Sequence, residues 1–123
     1  MLKKHELDVR EVNLGGETYT VSAMTVRQRS RFEALLARLG AETLREGLLI
    51  YCVTGPGGVT PFNPSDFRKR VDPDSENPEQ DALDLLIDEM STYPATQVQP
   101  LIEAAMEING LMGNAASGGS APS

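Results

Sequence analysis

Apolar residues recur along this chain at the three- and four-residue spacing of helices, and glycine and proline residues divide the pattern into short segments. Helices are predicted over about residues 25–39, 41–53, 63–71, 79–90 and 95–109. At 123 residues, the chain is long enough for one domain with one core of moderate size. The pattern therefore predicts a mainly α fold, a small domain of four or five helices.

Two strands are predicted ahead of the helices, over residues 7–12 and 17–23. In the second strand Tyr19 and Val21 fall on one face, and threonine and serine residues fall on the other. The connecting residues 13–16 include two glycines, which readily adopt the positive φ that a tight turn needs. An isolated hairpin is marginally stable, so we expect its apolar face to pack on the helices or on another chain.

The first helix carries the clearest local signals. Thr25 and Gln28 have the spacing of a capping box, and Gly40 is placed to end the helix. The expected apolar face consists of Val26, Phe32, Leu35, Leu36 and Leu39. The opposite face carries Arg27, Arg31 and Arg38. This helix is therefore expected to bury one face and to leave an arginine-rich face in water.

Both ends of the chain are expected to lie outside the domain. Residues 1–6 are predicted to be a flexible amino terminus, and residues 112–123 a disordered tail rich in Gly, Ser and Ala. The tail has no large apolar residue after Met112, so burial cannot offset the entropy of ordering it. The predicted domain covers residues 7–111.

Charge is unevenly distributed along the chain. Residues 1–70 carry 11 Lys/Arg and 8 Asp/Glu, whereas residues 71–123 carry 10 Asp/Glu and no Lys or Arg. An acidic half repels phosphate backbones, so nucleic acid is not an expected partner. The asymmetry could support self-association or binding of a basic partner, or it could represent solvated acidic surfaces that favour solubility.

No residues have the spacing of a catalytic or metal-binding set. His5 and Cys52 are the only residues of their kinds, and nothing in their spacing pairs them. Residues 55–58 are glycine-rich but lack the following Lys-Ser/Thr of a phosphate-binding loop. Residues 72–76 alternate carboxylates but lack the glycine and the glutamate that a calcium loop requires. We therefore expect no enzyme activity, no cofactor and no metal site.

No apolar run reaches membrane-spanning length, and the first residues lead into polar sequence rather than an apolar signal-peptide core. A lone cysteine offers no internal disulfide. These features predict a soluble protein of a reducing, cytoplasmic compartment, without a membrane partner.

Several short motifs then occur in a characteristic order. They are MTVRQR at residues 24–29, FEALL at 32–36, YCV at 51–53, PF at 61–62 and AAMEINGL at 104–111. Together with the predicted hairpin, this order resembles the tail assembly chaperones of long-tailed bacteriophages and related prophages, over roughly residues 7–112. The most specific elements are the Asn-Gly-Leu ending and Phe62 after the glycine-rich loop.

The resemblance implies a non-enzymatic protein of the host bacterial cytoplasm. Such chaperones bind the tape-measure protein, keep it soluble and help to recruit tail-tube subunits. The alternative function is a structural virion component, such as a head–tail connector or a tail-terminator subunit. A third possibility is a small regulator or enzyme subunit. A chaperone should be absent from mature particles, whereas a connector should be present in them.

The last predicted helix has more apolar positions than one packing face requires. A partner-binding surface is therefore predicted on it, together with the aromatic residue of the adjoining loop, because methionine adapts to varied partner helices. The predicted residues are Phe62, Leu101, Ile102, Ala105, Met106, Ile108 and Leu111. The alternative is that both apolar faces of this helix belong to the core.

Overall fold

The computed structural model describes residues 8–111; the predicted flexible amino terminus and disordered tail lie outside the described residues. The described chain contains four α-helices, which are α1 (Val26–Leu39), α2 (Leu44–Cys52), α3 (Pro78–Met90) and α4 (Ala95–Ile108). A three-stranded sheet consists of β1 (Val9–Leu14), β2 (Glu17–Ser22) and β3 (Val53–Thr54). The prediction of a mainly α domain with an amino-terminal hairpin is confirmed.

The first strand of the hairpin ends two residues later than predicted, whereas the second begins at Glu17 as predicted. β1 pairs antiparallel with β2, and Leu14 lies opposite Glu17. Only Gly15 and Gly16 form the turn, with φ of 58° and 84°. Positive φ at both positions gives a turn whose twist matches the strands, so the two residues before it remain in the ladder. The predicted burial pattern of the second strand is confirmed, since Val21 is fully buried.

A third strand replaces the predicted end of the second helix. α2 ends at Cys52, and Val53 and Thr54 pair antiparallel with Val21 and Thr20 of β2. The prediction that the helix includes Val53 and that a loop begins at Thr54 was wrong. Both side chains are β-branched and favour extended backbone, and β2 offers them a free edge.

Two other predicted helical segments are 3₁₀ rather than α. Residues Ala41–Thr43 form a 3₁₀ turn before α2, and Pro64–Arg70 forms a longer 3₁₀ segment where the third helix was predicted. The Asn63 side chain caps this segment by accepting a hydrogen bond from the Ser65 backbone N–H at 3.0 Å. The location of the third helix was therefore predicted, but not its type.

The first helix begins as predicted. The Thr25 side chain accepts from the Gln28 N–H at 3.1 Å, and the Gln28 side chain accepts from the Thr25 N–H at 2.9 Å. The predicted apolar face of this helix was wrong at Val26, whose side chain is 86% exposed. At about 100° per residue, Val26 lies roughly 180° from Leu35 around the helix axis, so both cannot face the core.

The core lies between the sheet and the helices, and α4 contributes to it along most of its length. α4 contacts α2, β1 and β2, and it continues through the exposed Pro100. The buried residues that form the main cluster are Val21, Phe32, Leu48, Leu49, Cys52, Val53, Phe62, Leu86, Met90, Leu101, Ile102, Ala104 and Ala105. One continuous core therefore joins the hairpin to the helices.

The carboxyl end of α4 forms a Schellman motif. The Leu111 N–H donates to the Met106 carbonyl at 2.7 Å, and the Gly110 N–H donates to the Glu107 carbonyl at 3.2 Å. Gly110 has φ of 67°, the left-handed conformation that this motif needs. The Asn-Gly-Leu sequence at residues 109–111 thus has a structural role as a helix stop.

Asn109 ties this helix end to two other elements. Its side-chain oxygen accepts from the Met24 backbone N–H at 2.8 Å, ahead of α1. Its amide nitrogen donates to the Ala105 carbonyl at 2.9 Å and lies 3.5 Å from the Cys52 Sγ at the end of α2. The side chain therefore satisfies a backbone donor that would otherwise lack a partner.

Substitution of Gly110 tests the helix stop. A Cβ at this position would meet no atom within 4 Å, so only backbone conformation is affected. We expect Gly110→Ala to lower the free energy of unfolding by about 1–2 kcal/mol, measured by urea denaturation. Gly110→Asn is the matched control. Its free energy of unfolding should fall by less, because asparagine tolerates positive φ. Equal stability of all three proteins would contradict the motif.

Candidate functional site

The structure places the predicted partner-binding residues in or against one core cluster. Three of them, Leu101, Ile102 and Ala105, are 1%, 2% and 0% exposed. These three residues therefore belong to the core, as the alternative prediction for α4 states. Phe62 is 9% exposed and packs beside Tyr93, with 6.3 Å between ring centroids. The side chains of Leu101, Ile102 and Ala105 therefore offer almost no contact area to a partner while the domain remains closed.

The other three predicted residues are half-buried. Met106, Ile108 and Leu111 all pack against the core cluster. Met106 and Leu111 also occupy the two positions of the Schellman motif whose side chains commonly touch. Their role in binding a partner stays a prediction.

Aspartate substitutions in α4 separate buried from accessible positions. Ile102→Asp would place a charge without a partner in the core, and we expect it to destabilise the domain by at least about 3 kcal/mol. Met106→Asp is the comparison on the half-buried side, and we expect it to retain the helical circular dichroism spectrum. A folded Ile102→Asp protein would show that this side of α4 is not core.

A separate surface feature is an open groove of about 810 Å³ between α1, the end of α2, the segment 60–68 and the start of α3. We name it the arginine groove. Its apolar lining consists of Ala34, Leu35, Ile50, Phe62, Pro64, Ala82 and Leu83, and its arginines are Arg31, Arg38 and Arg68. Phe62 is thus the one predicted site residue that contributes to this groove.

The arginines give the groove a local positive charge. Arg38 donates two hydrogen bonds to the Asp84 carboxylate, at 2.9 and 3.0 Å, and this contact raises its pKa. Arg31 and Arg68 are exposed and form no salt bridge with any residue from 8 to 111. Glu79 is the one carboxylate in the lining. The groove is therefore cationic on a chain whose net charge is −7.

Tyr51 adds a polar group to the same lining. Burial raises the pKa of its hydroxyl, while the positive charges of Arg31 and Arg38 oppose that shift. The hydroxyl therefore stays protonated at neutral pH and can donate a hydrogen bond. The groove therefore combines apolar side chains with hydrogen-bond donors and positive charges.

Cys52 is placed as a core residue rather than as a nucleophile. It is 1% exposed, and burial raises its pKa to about 11, partly opposed by the hydrogen bond from Asn109. A protonated, buried thiol is a poor nucleophile. His5, which could have served as a base for this thiol, lies outside the described residues. Within residues 8–111, no group of three or more potential ligands could hold a metal ion.

The Cys52 thiol gives the fold a pH dependence in the alkaline range. The pKa of the thiol rises from 9.0 to about 11 on folding. Its contribution to the free energy of unfolding is therefore complete below about pH 9 and is lost as the pH approaches 11. We expect the free energy of unfolding to fall by about 2 kcal/mol more in the wild type than in Cys52→Ala over this range. Urea denaturation at each pH measures both slopes. Parallel slopes would contradict the assignment.

The groove was missed at the sequence level. The α1 arginines were placed on a face opposite the core, but Arg31 and Arg38 flank Leu35 on the same side of the helix as the groove. Their seven-residue separation is the signal that could have indicated a shared edge. The other walls come from distant segments, and no local pattern shows that these segments meet.

Comparison with protein-family models, with curated proteins and with solved structures found no match to the chain. The resemblance to tail assembly chaperones therefore stays a prediction. In the part of the chain that the structure describes, no helix combines the length and apolar character needed to cross a bilayer.

Proposed function

We propose that this protein is a non-catalytic tail assembly chaperone of a long-tailed bacteriophage, which binds the tape-measure protein in the host cytoplasm. The observation that carries the proposal is the arginine groove, an open apolar depression of about 810 Å³ lined by segments that are far apart in sequence. Apolar grooves of this kind bind amphipathic helices through a row of apolar side chains. A tape-measure protein, which is long and helical, supplies such segments.

The motif order of the sequence supports the same function. Phe62 and the Asn-Gly-Leu ending are the most specific elements of the resemblance, and each has a definite place in the fold. Phe62 contributes to the groove, and Asn109 and Gly110 end α4. On this proposal, the motifs that resemble the tail assembly chaperones are residues that build the binding domain. Recruitment of tail-tube subunits then uses a surface other than the groove.

A co-expression experiment tests the proposal. A tape-measure fragment that aggregates when produced alone should become mostly soluble when this protein is produced with it, and the two should co-purify. The Ile102→Asp variant is the control, because the loss of its fold should abolish the effect. A fragment that stays insoluble beside the folded wild-type protein would refute the chaperone function.

Composition of mature particles separates the proposed function from a structural role. A chaperone leaves the assembly, so mass spectrometry of purified phage particles should detect none of this protein. A connector or tail terminator would instead appear in ring-like copy number. Detection at that level would replace the chaperone proposal with the structural alternative.

A further inference from the structure

We propose that the arginine groove binds an amphipathic helix that carries acidic residues beside its apolar face. The inference rests on the proposed function only for the source of this helix, which is then a segment of the client protein. The recognition chemistry is read from the groove itself, from its apolar lining and its charges.

The apolar lining provides the binding area. It comes from α1, α2, the loop after β3 and α3. Its accessible members include Ala34, Ile50 and Leu83, whereas Leu35 is 3% exposed. A helix presents apolar side chains every three or four residues along one face, so it can contact several of these elements at once. A small molecule of the usual kind would instead be mostly enclosed by its pocket, whereas this groove is open.

The charges of the groove favour a helix that carries acidic residues. Arg31 on α1 and Arg68 on the 3₁₀ segment both line it, and neither forms a salt bridge with a described residue. Arg38 is already neutralised by Asp84, and Glu79 adds one negative charge. Among residues 8–111, two guanidinium groups of the groove therefore remain to pair with carboxylates, and arginine forms bidentate contacts with carboxylates.

A second copy of this chain does not supply the required helix. The acidic residues of the described chain after residue 71 lie in or just before α3 and on α4. The exposed large hydrophobic residues are Val9, Val26, Val59 and Tyr93, and none of them belongs to α3 or α4. Neither acidic helix therefore has a free apolar face to place in the groove of another copy. Because residues 8–111 supply no such helix, the proposed occupant is a segment of a different protein.

Two synthetic peptides test the preference against the full-length protein. Each is an amphipathic helix of about 20 residues with leucines at i, i+3, i+4 and i+7. One carries glutamates beside the leucines, and the other carries lysines at the same positions. We expect the glutamate peptide to bind at least about tenfold more tightly in fluorescence anisotropy, as direct pairing with two arginines implies.

Charge reversal locates the site. We expect Arg31→Glu/Arg68→Glu to weaken binding of the glutamate peptide by at least about tenfold and to favour the lysine peptide instead. Arg10→Glu/Arg45→Glu is the matched control, because both residues are exposed, lie outside the groove and change the net charge equally. The control should change the affinity by less than about threefold, since distant surface charges are screened.

Three results would overturn the inference. They are equal binding of the two peptides, equal loss of affinity in the two double variants, or no measurable binding of either peptide. Analytical ultracentrifugation adds a fourth, since oligomers that the Arg31→Glu/Arg68→Glu variant dissociates would identify a second copy as the occupant.

The outcome is separable from that of the proposed function. If the reversed variant still solubilises the tape-measure fragment as well as the wild type does, the chaperone function holds and the groove inference fails. If the peptides behave as expected but the wild-type protein does not solubilise the fragment, the groove inference holds and the client is another protein.

Discussion

The packing of α4 against both the sheet and α2 is the contact on which the rest of the structure depends. Ala104 and Ala105 are 5% and 0% exposed, and their small side chains let neighbouring elements approach the helix closely. Asn109 then fixes the end of this helix by accepting the hydrogen bond from Met24. Since α1 begins two residues later and Cys52 lies beside the same amide, one side chain of α4's carboxyl end links the start of α1 to the end of α2.

The features that were predictable from sequence depend on neighbouring residues. The Thr25 capping box and the Gly15-Gly16 turn involve groups within a few positions of each other, so their signals are local. Val53 shows the opposite case, because its extended conformation comes from pairing with a strand about thirty positions away. Local helix propensity could not indicate that β2 would have a free edge at that point.

The candidate site was less predictable than the fold for the same reason. The excess of apolar residues on α4 was a correct observation, but α4 packs on the sheet on one side and on α2 on the other, so Leu101 and Ile102 both become core. The groove instead depends on how the segment 60–68 lies between α1 and α3. That arrangement is fixed by tertiary contacts, and only Phe62 was predicted among its lining residues.

On the proposal that the groove binds a helix, the charge distribution of the chain would add a selectivity that the arginines alone do not provide. The chain as a whole has a net charge of −7, which disfavours the approach of long polyanions within about the Debye length of 8 Å. On the proposal that the groove binds an acidic helix, a short helix with few carboxylates experiences less of that repulsion and pairs directly with Arg31 and Arg68. On the proposed function, the acidic surface and the cationic groove therefore act together, because the first excludes polyanions and the second retains an acidic helix.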